Sequence, residues 1–401
     1  MSDDLPVVEI GPVAHGGHCV ARLDGQVVFV RHTLPGERVR IRITERSKRF
    51  LRADAVEVLE PAPDRVEAPC PYAGDCGGCD FQHVSPAGQR RLLTSVVREQ
   101  MERLAGLAWD GAVEAADPDD LGWRTRVAFA VDDSGRPGLR RHRSHQIVPI
   151  EECLIAHPDL PQVLDRTWDA ESVEAIVSST GEHLLVTDAT IPDEVERAVD
   201  GVVAVDGTVR GGRGALTERV HNTELRVSGS GFWQVHPAAA STLVNAVLEA
   251  AQLHPGDTAV DLYAGVGLFT SFLADVVGER GRVVSVEFDR RAARDARRNL
   301  HDRPQVELVH AKVELALRSG QVGATADVVV LDPPRSGAKP AVAGIAALTP
   351  RRVVYVACDP AALARDIASF ADLGYRLEHV RAFALFPMTH HVECVATLVP
   401  H

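Results

Sequence analysis

The stretch "DTAVDLYAGVGLFTSFLADVV", Asp257 to Val277, constrains the fold more than any other part of the chain. A short apolar run ends at the acid Asp261. Gly265 and Gly267 then make a turn, and a helical pattern follows. The next apolar run, "RVVSVE", ends at Glu287, 20 residues beyond Gly267. Strand, glycine turn, helix and strand-ending acid at this spacing make the first unit of a doubly wound parallel sheet. An acid at that place can take the two ribose hydroxyls of an adenosine cofactor. The nicotinamide fingerprint wants a third glycine for close helix packing, but the turn runs "GVGLFT" with Thr270 there. With Asp261 and the Asp-Leu-Tyr-Ala-Gly pattern, this favours S-adenosylmethionine (SAM) over NAD.

The same alternation continues to the end of the chain. In "ADVVVLDPPRSG" a buried strand ends at Asp332, and two prolines stiffen the loop after it. Carboxyl ends of strands face the ligand crevice in such sheets, so Asp332 is placed at the site. A DPP loop is also how amino-group methyltransferases hold an exocyclic amine, which makes them a competing class. "YVACDPAALARD" then puts Cys358 at the end of the next strand, with Asp359 as N-cap and Pro360 as first helical residue. A helix N-terminus favours a thiolate, while Asp359 opposes it. Glu393 lies in the apolar run "VECVATL", where burial raises a carboxylate's proton affinity and suits a base. His390 and His391 precede it without a metal-ligand set and read as shaping or hydrogen-bonding residues.

A strand-end thiol and a late carboxylate beside SAM match one chemistry. Pyrimidine C5 is a poor nucleophile towards a methyl sulfonium. A thiolate adding at C6 converts the ring to an enolate whose C5 can attack. A base must then remove the C5 proton before the cysteine is released. Cys358 and Glu393 supply the two groups.

Upstream, residues 7–59 run in short alternating segments ("CVARL", "QVVFV", "RVRIRI", "DAVEVL") broken by Gly16-Gly17, Asp24-Gly25 and Pro35-Gly36. That spacing predicts a small, nearly closed OB-like barrel ending near Pro61. Its arginines Arg38, Arg40, Arg42, Arg46, Arg49 and Arg52, with Lys48, read either as a solvated face or as a phosphate-contacting stripe. Next, "APCPYAGDCGGCDFQH" holds Cys70, Cys76 and Cys79, and Cys153 follows in "EECLIAHP". Seven cysteines with no export signal in "MSDDLPVVEI" argue against a disulfide framework. Four thiolates suit a tetrahedral zinc or an iron–sulfur cluster, and the spacing, unlike paired Cys-x2-Cys knuckles, favours 4Fe–4S.

"LDPPRSG", "YVACDPAALARD" and "FPMTHHVEC" together resemble the signature motifs of the RNA uracil-5-methyltransferase family, over nearly the whole chain. The resemblance implies an α/β architecture in three parts. Residues 1–61 form a TRAM-like, RNA-binding β-barrel. Residues 62–230 form a central α+β domain holding the cluster, with a helix at about 85–105 packing on the catalytic part. Residues 231–401 form the Rossmann-like SAM-dependent methyltransferase domain. It implies Cys358 as nucleophile and Glu393 as base. Gln234, in "GFWQVHP", matches an active-site glutamine and is grouped with Tyr263, Gly265, Gly267, Glu287 and Asp332 as the cofactor set. Cys70, Cys76, Cys79 and Cys153 match the 4Fe–4S set of the 23S rRNA branch. That branch makes 23S rRNA the expected substrate, with tRNA the alternative.

Four positions depart from the family's pattern: His236 and Asp359 stand where asparagine is usual, Leu268 where asparagine is frequent, and Lys312 where a polar or acidic residue often lies. Arg136, Arg140, Arg141 and Arg143, with His142 and His145, form a basic run that can meet phosphates or serve as a plain hairpin. RNA as partner runs against a net charge of −13, but a local basic face outweighs the whole-chain sum. With 45% hydrophobic and 25% charged residues and no apolar run long enough to span a bilayer, the chain reads as soluble and globular, and without an export signal as cytoplasmic. The sequence is silent on oligomeric state, for which monomer is the default. Two rival classes remain beside the amino-group methyltransferases. RNA cytosine-5-methyltransferases usually carry a cysteine where this chain has "DPPRSG". A non-catalytic iron–sulfur RNA-binding protein would keep the fold without the reaction.

Overall fold

A computed structural model describes residues 5–118 and 120–401. The first four residues, part of the stretch read as lacking an export signal, lie outside the described residues. Among the described residues no helix is long and apolar enough to cross a membrane.

The N-terminal segment forms a five-stranded sheet in the order Val7–Glu9, Arg38–Arg46, Phe50–Glu60, Gln26–Arg31, Cys19–Leu23. Its two ends meet where Gly11 N donates to Val20 O (2.7 Å) and Val20 N to Pro12 O (2.9 Å), which closes it towards a barrel. Alternate residues such as Val28, Val30, Val39 and Ile41 are wholly buried, as the period-2 pattern requires. Much of the arginine stripe is paired on the sheet: Arg38 with Glu60, Arg40 with Glu57 and Arg52 with Glu45. Arg42 stands exposed midway along that hairpin, and Arg46, Lys48 and Arg49 at its far end.

The central span is built on a seven-stranded sheet that includes Arg126–Val131, Pro137–Arg140 and Ser172–Val177. The hairpin Ala215–Val220 and Thr223–Ser228 leads out of it.

The catalytic sheet has eight strands in the order Val306–His310, Arg282–Glu287, Thr258–Leu262, Val328–Leu331, Arg352–Ala357, Glu393–Pro400, Tyr375–Ala384 and Val113–Ala115. The first five are mutually parallel, and the Glu393–Pro400 strand runs antiparallel to both its neighbours. Strands buried on both faces explain the continuous apolar runs seen in the sequence. The eighth strand comes from far upstream, pairing Val113 with Ala382. Helix Pro86–Gln100 precedes it, capped by Ser85, whose hydroxyl accepts from Gly88 N. Its buried Leu92, Leu93, Val96 and Val97 share one core with the barrel and the catalytic sheet. Trp109 Nε1 donates to Val380 O (3.1 Å) beside it.

Candidate active site

The carboxyl ends of the central strands set the site. Leu262 pairs with Leu331, and Leu331 with Tyr355, so Tyr263, Asp332 and the residues after Tyr355 emerge at one edge. Ala357 pairs with Cys394 across the next, antiparallel boundary. Cys358 and Glu393 are therefore the next residues on adjoining strand ends. They face a cavity of about 940 Å³, whose lining also includes Gln234, Tyr263, Gly265, Glu287 and Asp332. Gly267 is not on its wall. Gly267 has φ 91° and a Cβ there would sit 2.8 Å from Leu300 Cδ1, so this glycine sets the turn and its packing. Tyr263 takes a left-handed conformation (φ 63°) directly after the strand, a strained geometry for a side-chain-bearing residue. Its hydroxyl donates to Glu314 Oε1 at 3.4 Å. Glu287 accepts from Gly265 N (2.8 Å) and Asp289 N (2.5 Å), which fixes its carboxylate against the glycine loop.

The electrostatics run as a chain of acids. Asp261 is fully buried, and burial pushes its pKa up to about 7 even though Thr270 Oγ1 donates to it at 2.5 Å. Its Oδ1 has no partner. Asp332 is pushed up by burial and then by Asp261. Glu393, 3% exposed, is pushed well up by burial and then by Asp332. Cys358 is pushed up to about 11 by burial, with Glu393 and Asp332 adding to it and Arg335 opposing. The helix-end effect expected from the sequence is outweighed. Asp359 caps the following helix, accepting from Ala362 N at 2.7 Å, and also meets His15 Nε2 of the barrel at 3.2 Å. Arg335, on the DPP loop, donates to His391 Nε2 (3.3 Å), and burial pushes His391 down to about 3, so it stays neutral.

The four cysteines singled out in the sequence, Cys70, Cys76, Cys79 and Cys153, line one small second cavity. Gly78 N donates to Cys76 Sγ and Gln82 Nε2 to Cys79 Sγ, both at 3.4 Å. Burial pushes Cys79 up to about 12, and Cys76 and Cys153 upward as well. Among the described residues no group of three or more His, Cys, Asp or Glu is gathered as a site for a metal ion. Gly78 and Arg124 line both cavities, so the cysteine loop is also a wall of the larger one.

Known proteins match the chain in the same parts. Residues 7–56 match the TRAM domain. Residues 231–327, which hold the glycine loop and Glu287, match the Protein-L-isoaspartate(D-aspartate) O-methyltransferase family. Residues 321–400, which hold the DPP loop, Cys358 and Glu393, match the family described as tRNA (Uracil-5-)-methyltransferase. An RNA methyltransferase of Streptomyces avermitilis is 50% identical over 98% of this chain and 98% of its own. One of Bifidobacterium longum is 40% identical over 97% and 95%. This chain belongs to the RNA uracil-5-methyltransferase family. The solved structure of Pyrococcus abyssi tRNA (uracil-54, C5)-methyltransferase in complex with S-adenosyl-L-homocysteine shares the fold from end to end. Its TM-score is 0.74 at 23% identity, covering 98% of this chain and 99% of that one.

Within this family the four departures are now located. His236 is 2% exposed and lies behind the wall: its Nδ1 accepts from Ala238 N, so its Nε2 donates to Pro118 O at 2.9 Å. Leu268 lines the cavity as an apolar surface. Lys312 sits over the Phe288 ring, 5.3 Å from its centre. Asp359 has the His15 contact described above.

Sequence reasoning missed several lining residues. Phe232 is 76% exposed on the cavity rim, and Trp123 is buried in its wall with Nε1 unpartnered. A single aromatic gives no periodic signal, so neither stands out in the sequence. Arg335 was readable only as part of the DPP loop. Of the basic run, Arg141 is paired with Asp75 at 2.8 Å, whereas His142 reaches the cavity wall.

Proposed function

We propose that this enzyme transfers a methyl group from SAM to C5 of a uridine in RNA, with Cys358 as nucleophile and Glu393 as base. One observation carries the reading: a thiol and a buried carboxyl on adjoining strand ends face a single cavity with the acids of the cofactor loop. Cys358 Sγ, its proton released to water in the cavity, forms a bond to C6, and the electron pair of the C5–C6 double bond moves onto C5 and O4. SAM would supply the methyl cation that C5 takes, its S–CH3 bond breaking to leave S-adenosylhomocysteine. Glu393 then accepts the C5 proton, the C6–S bond breaks, and its electron pair returns to Cys358. A raised proton affinity suits Glu393 to that step. Gln234, Tyr263, Gly265, Glu287 and Asp332 hold cofactor and base, with Gly267 setting the turn beneath them. A uridine in folded RNA must be swung out of its stack to reach this depth, which favours a loop target.

The proposal extends to a 4Fe–4S cluster held by Cys70, Cys76, Cys79 and Cys153. Four soft donors around one cavity support it, and a cluster spans wider sulfur spacing than a single ion does. The cluster would supply a crosslink between the Cys70–Cys79 loop and Cys153. Iron and sulfide content of anaerobically purified protein tests this, and their absence would overturn it. The labour would divide between an RNA-holding barrel (1–61), a cluster-bearing centre (62–230) and a catalytic part (231–401), in one chain acting as a monomer in the cytoplasm.

The barrel with the cysteine set favours 23S rRNA. The fold shared end to end with an archaeal tRNA enzyme favours tRNA. Mapping 5-methyluridine in both RNAs from cells with and without the gene decides between them. Transfer from labelled SAM to RNA transcripts should yield 5-methyluridine and be abolished by Cys358→Ala. Formation of 5-methylcytidine, or full activity in Cys358→Ala, would sink the reading.

A further inference from the structure

The turn that delivers Glu393 does not stand on its own element. Residues 386–391 are held by the segment that follows the cysteines. Asp80 N and Phe81 N both donate to Met388 O, at 2.8 and 2.9 Å. Gln89 Oε1 accepts from Met388 N at 2.8 Å. Asp80 Oδ2 accepts from His390 N (3.1 Å) and from His390 Nδ1 (2.6 Å). The His390 ring lies against that of His391, with centres 4.1 Å apart and planes tilted by 45°, and His391 meets Arg335. Three residues after His390 comes Glu393. Asp80 itself follows Cys79 directly and lines the reaction cavity with His390 and His391.

We infer that Asp80 is a positioning residue for the proton-removal step: through His390 it fixes the turn that aims Glu393 at C5. The inference rests on the proposed reaction, and it goes further by giving the cysteine loop a mechanical part in catalysis. The backbone bonds to Met388 hold the turn in place, while the Asp80 carboxylate sets its rotation at His390. Cys358 comes from a different strand end and is left where it is. Loss of Asp80 therefore acts on the second half of the reaction, after the covalent bond to C6 has formed.

The test compares Asp80→Ala and Asp80→Asn with wild type and with Glu393→Gln, as full-length protein. Unmodified RNA should trap Asp80→Ala as a denaturation-resistant protein–RNA adduct, as in Glu393→Gln, while kcat falls roughly 10- to 100-fold and KM for RNA stays within about 2-fold. RNA carrying 5-fluorouridine, whose C5 has no proton to lose, should form adduct with Asp80→Ala at the wild-type rate. Asp80→Asn keeps an acceptor oxygen and should recover part of kcat. Visible absorbance, iron content and melting temperature report separately on the cysteine site and on folding. Equal loss of adduct formation and turnover, or a KM effect alone, would overturn the role of Asp80. If wild type itself forms no adduct with 5-fluorouridine RNA, the proposed reaction fails instead.

Discussion

Asp261 gives the sharpest physical test of the acid chain, because it needs no substrate. Its side chain is fully buried, one oxygen is unpartnered, and its pKa rises from 3.8 to about 7 through burial. A carboxyl whose folded pKa is raised stabilises the fold while protonated. That contribution is complete below the unfolded pKa and is lost as pH climbs to the folded one. A rise of about three units corresponds to about 4 kcal/mol lost between about pH 4 and pH 7. Asp261→Asn removes the titration. It also costs something at every pH, since the new amide N–H has no acceptor where Oδ1 has no donor. The informative quantity is therefore the change with pH of the stability difference, measured by urea unfolding of the cofactor-free protein. Wild type should lose about 4 kcal/mol relative to Asp261→Asn across that window. Asp332 adds to the slope in the same direction, because Asp261 is one of the groups raising it. A pH-independent difference would refute the reasoning and show that the site solvates Asp261.

Other expectations follow from the same geometry. SAM carries a sulfonium that S-adenosylhomocysteine lacks, so titration calorimetry should show SAM gaining affinity over S-adenosylhomocysteine as pH rises through about 7, where burial leaves Asp261 to ionise. A flat ratio would place the sulfonium away from these acids. Gly267→Ala must force a methyl against Leu300 at positive φ and should lose roughly 2 to 4 kcal/mol. Gly265→Ala, with φ 57° and no atom within 4 Å of the added methyl, should lose only about 1 kcal/mol; melting curves of the two variants check the order. Asp359→Asn keeps an N-cap acceptor and gives up a partly exposed ion pair with His15, so its stability should change by less than about 1 kcal/mol. Asp359→Ala, which loses the cap as well, should fall by about 1 kcal/mol or more in urea unfolding.

The catalytic half was legible in the sequence because its physics is local. Parallel strands buried on both faces must be apolar throughout, and each ends on the residue it offers to the crevice. The runs that stop at Glu287, Asp332 and Cys358 thus announce a row at one edge of a sheet, whereas Asp261, read as a strand end, lies one residue inside Thr258–Leu262, and Tyr263 takes the place at the edge. That Cys358 and Glu393 adjoin was not legible from pattern. It depends on the last strand inserting antiparallel beside Arg352–Ala357, a choice of register made by the tertiary fold. Val113–Ala115 was missed for a similar reason. Three residues show no periodicity, and the partner strand lies more than 250 positions away. The arginine stripe was ambiguous in sequence because charge alone does not reveal cross-strand partners. Once Glu45, Glu57 and Glu60 are seen opposite Arg52, Arg40 and Arg38, what the stripe keeps for another molecule is Arg42 midway along the hairpin and the cations at its distal end.

The acid chain also bears on order of events under the proposed reaction. Asp261 raises Asp332, Asp332 raises Glu393, and Glu393 with Asp332 adds to the burial that holds Cys358 as a thiol. A site left this way resists forming the nucleophile, since a thiolate would add a further negative charge to a buried acidic row. Arg335 works in the opposite direction on both Cys358 and Glu393, and a backbone hydrogen bond also favours the Cys358 thiolate. A sulfonium entering the same cavity works with Arg335, lowering the cost of ionising thiol and carboxyl together. Attack on RNA is thereby favoured when the methyl donor is present and disfavoured when it is absent. The pKa that looks wrong for a nucleophile in the cofactor-free protein is what this coupling requires.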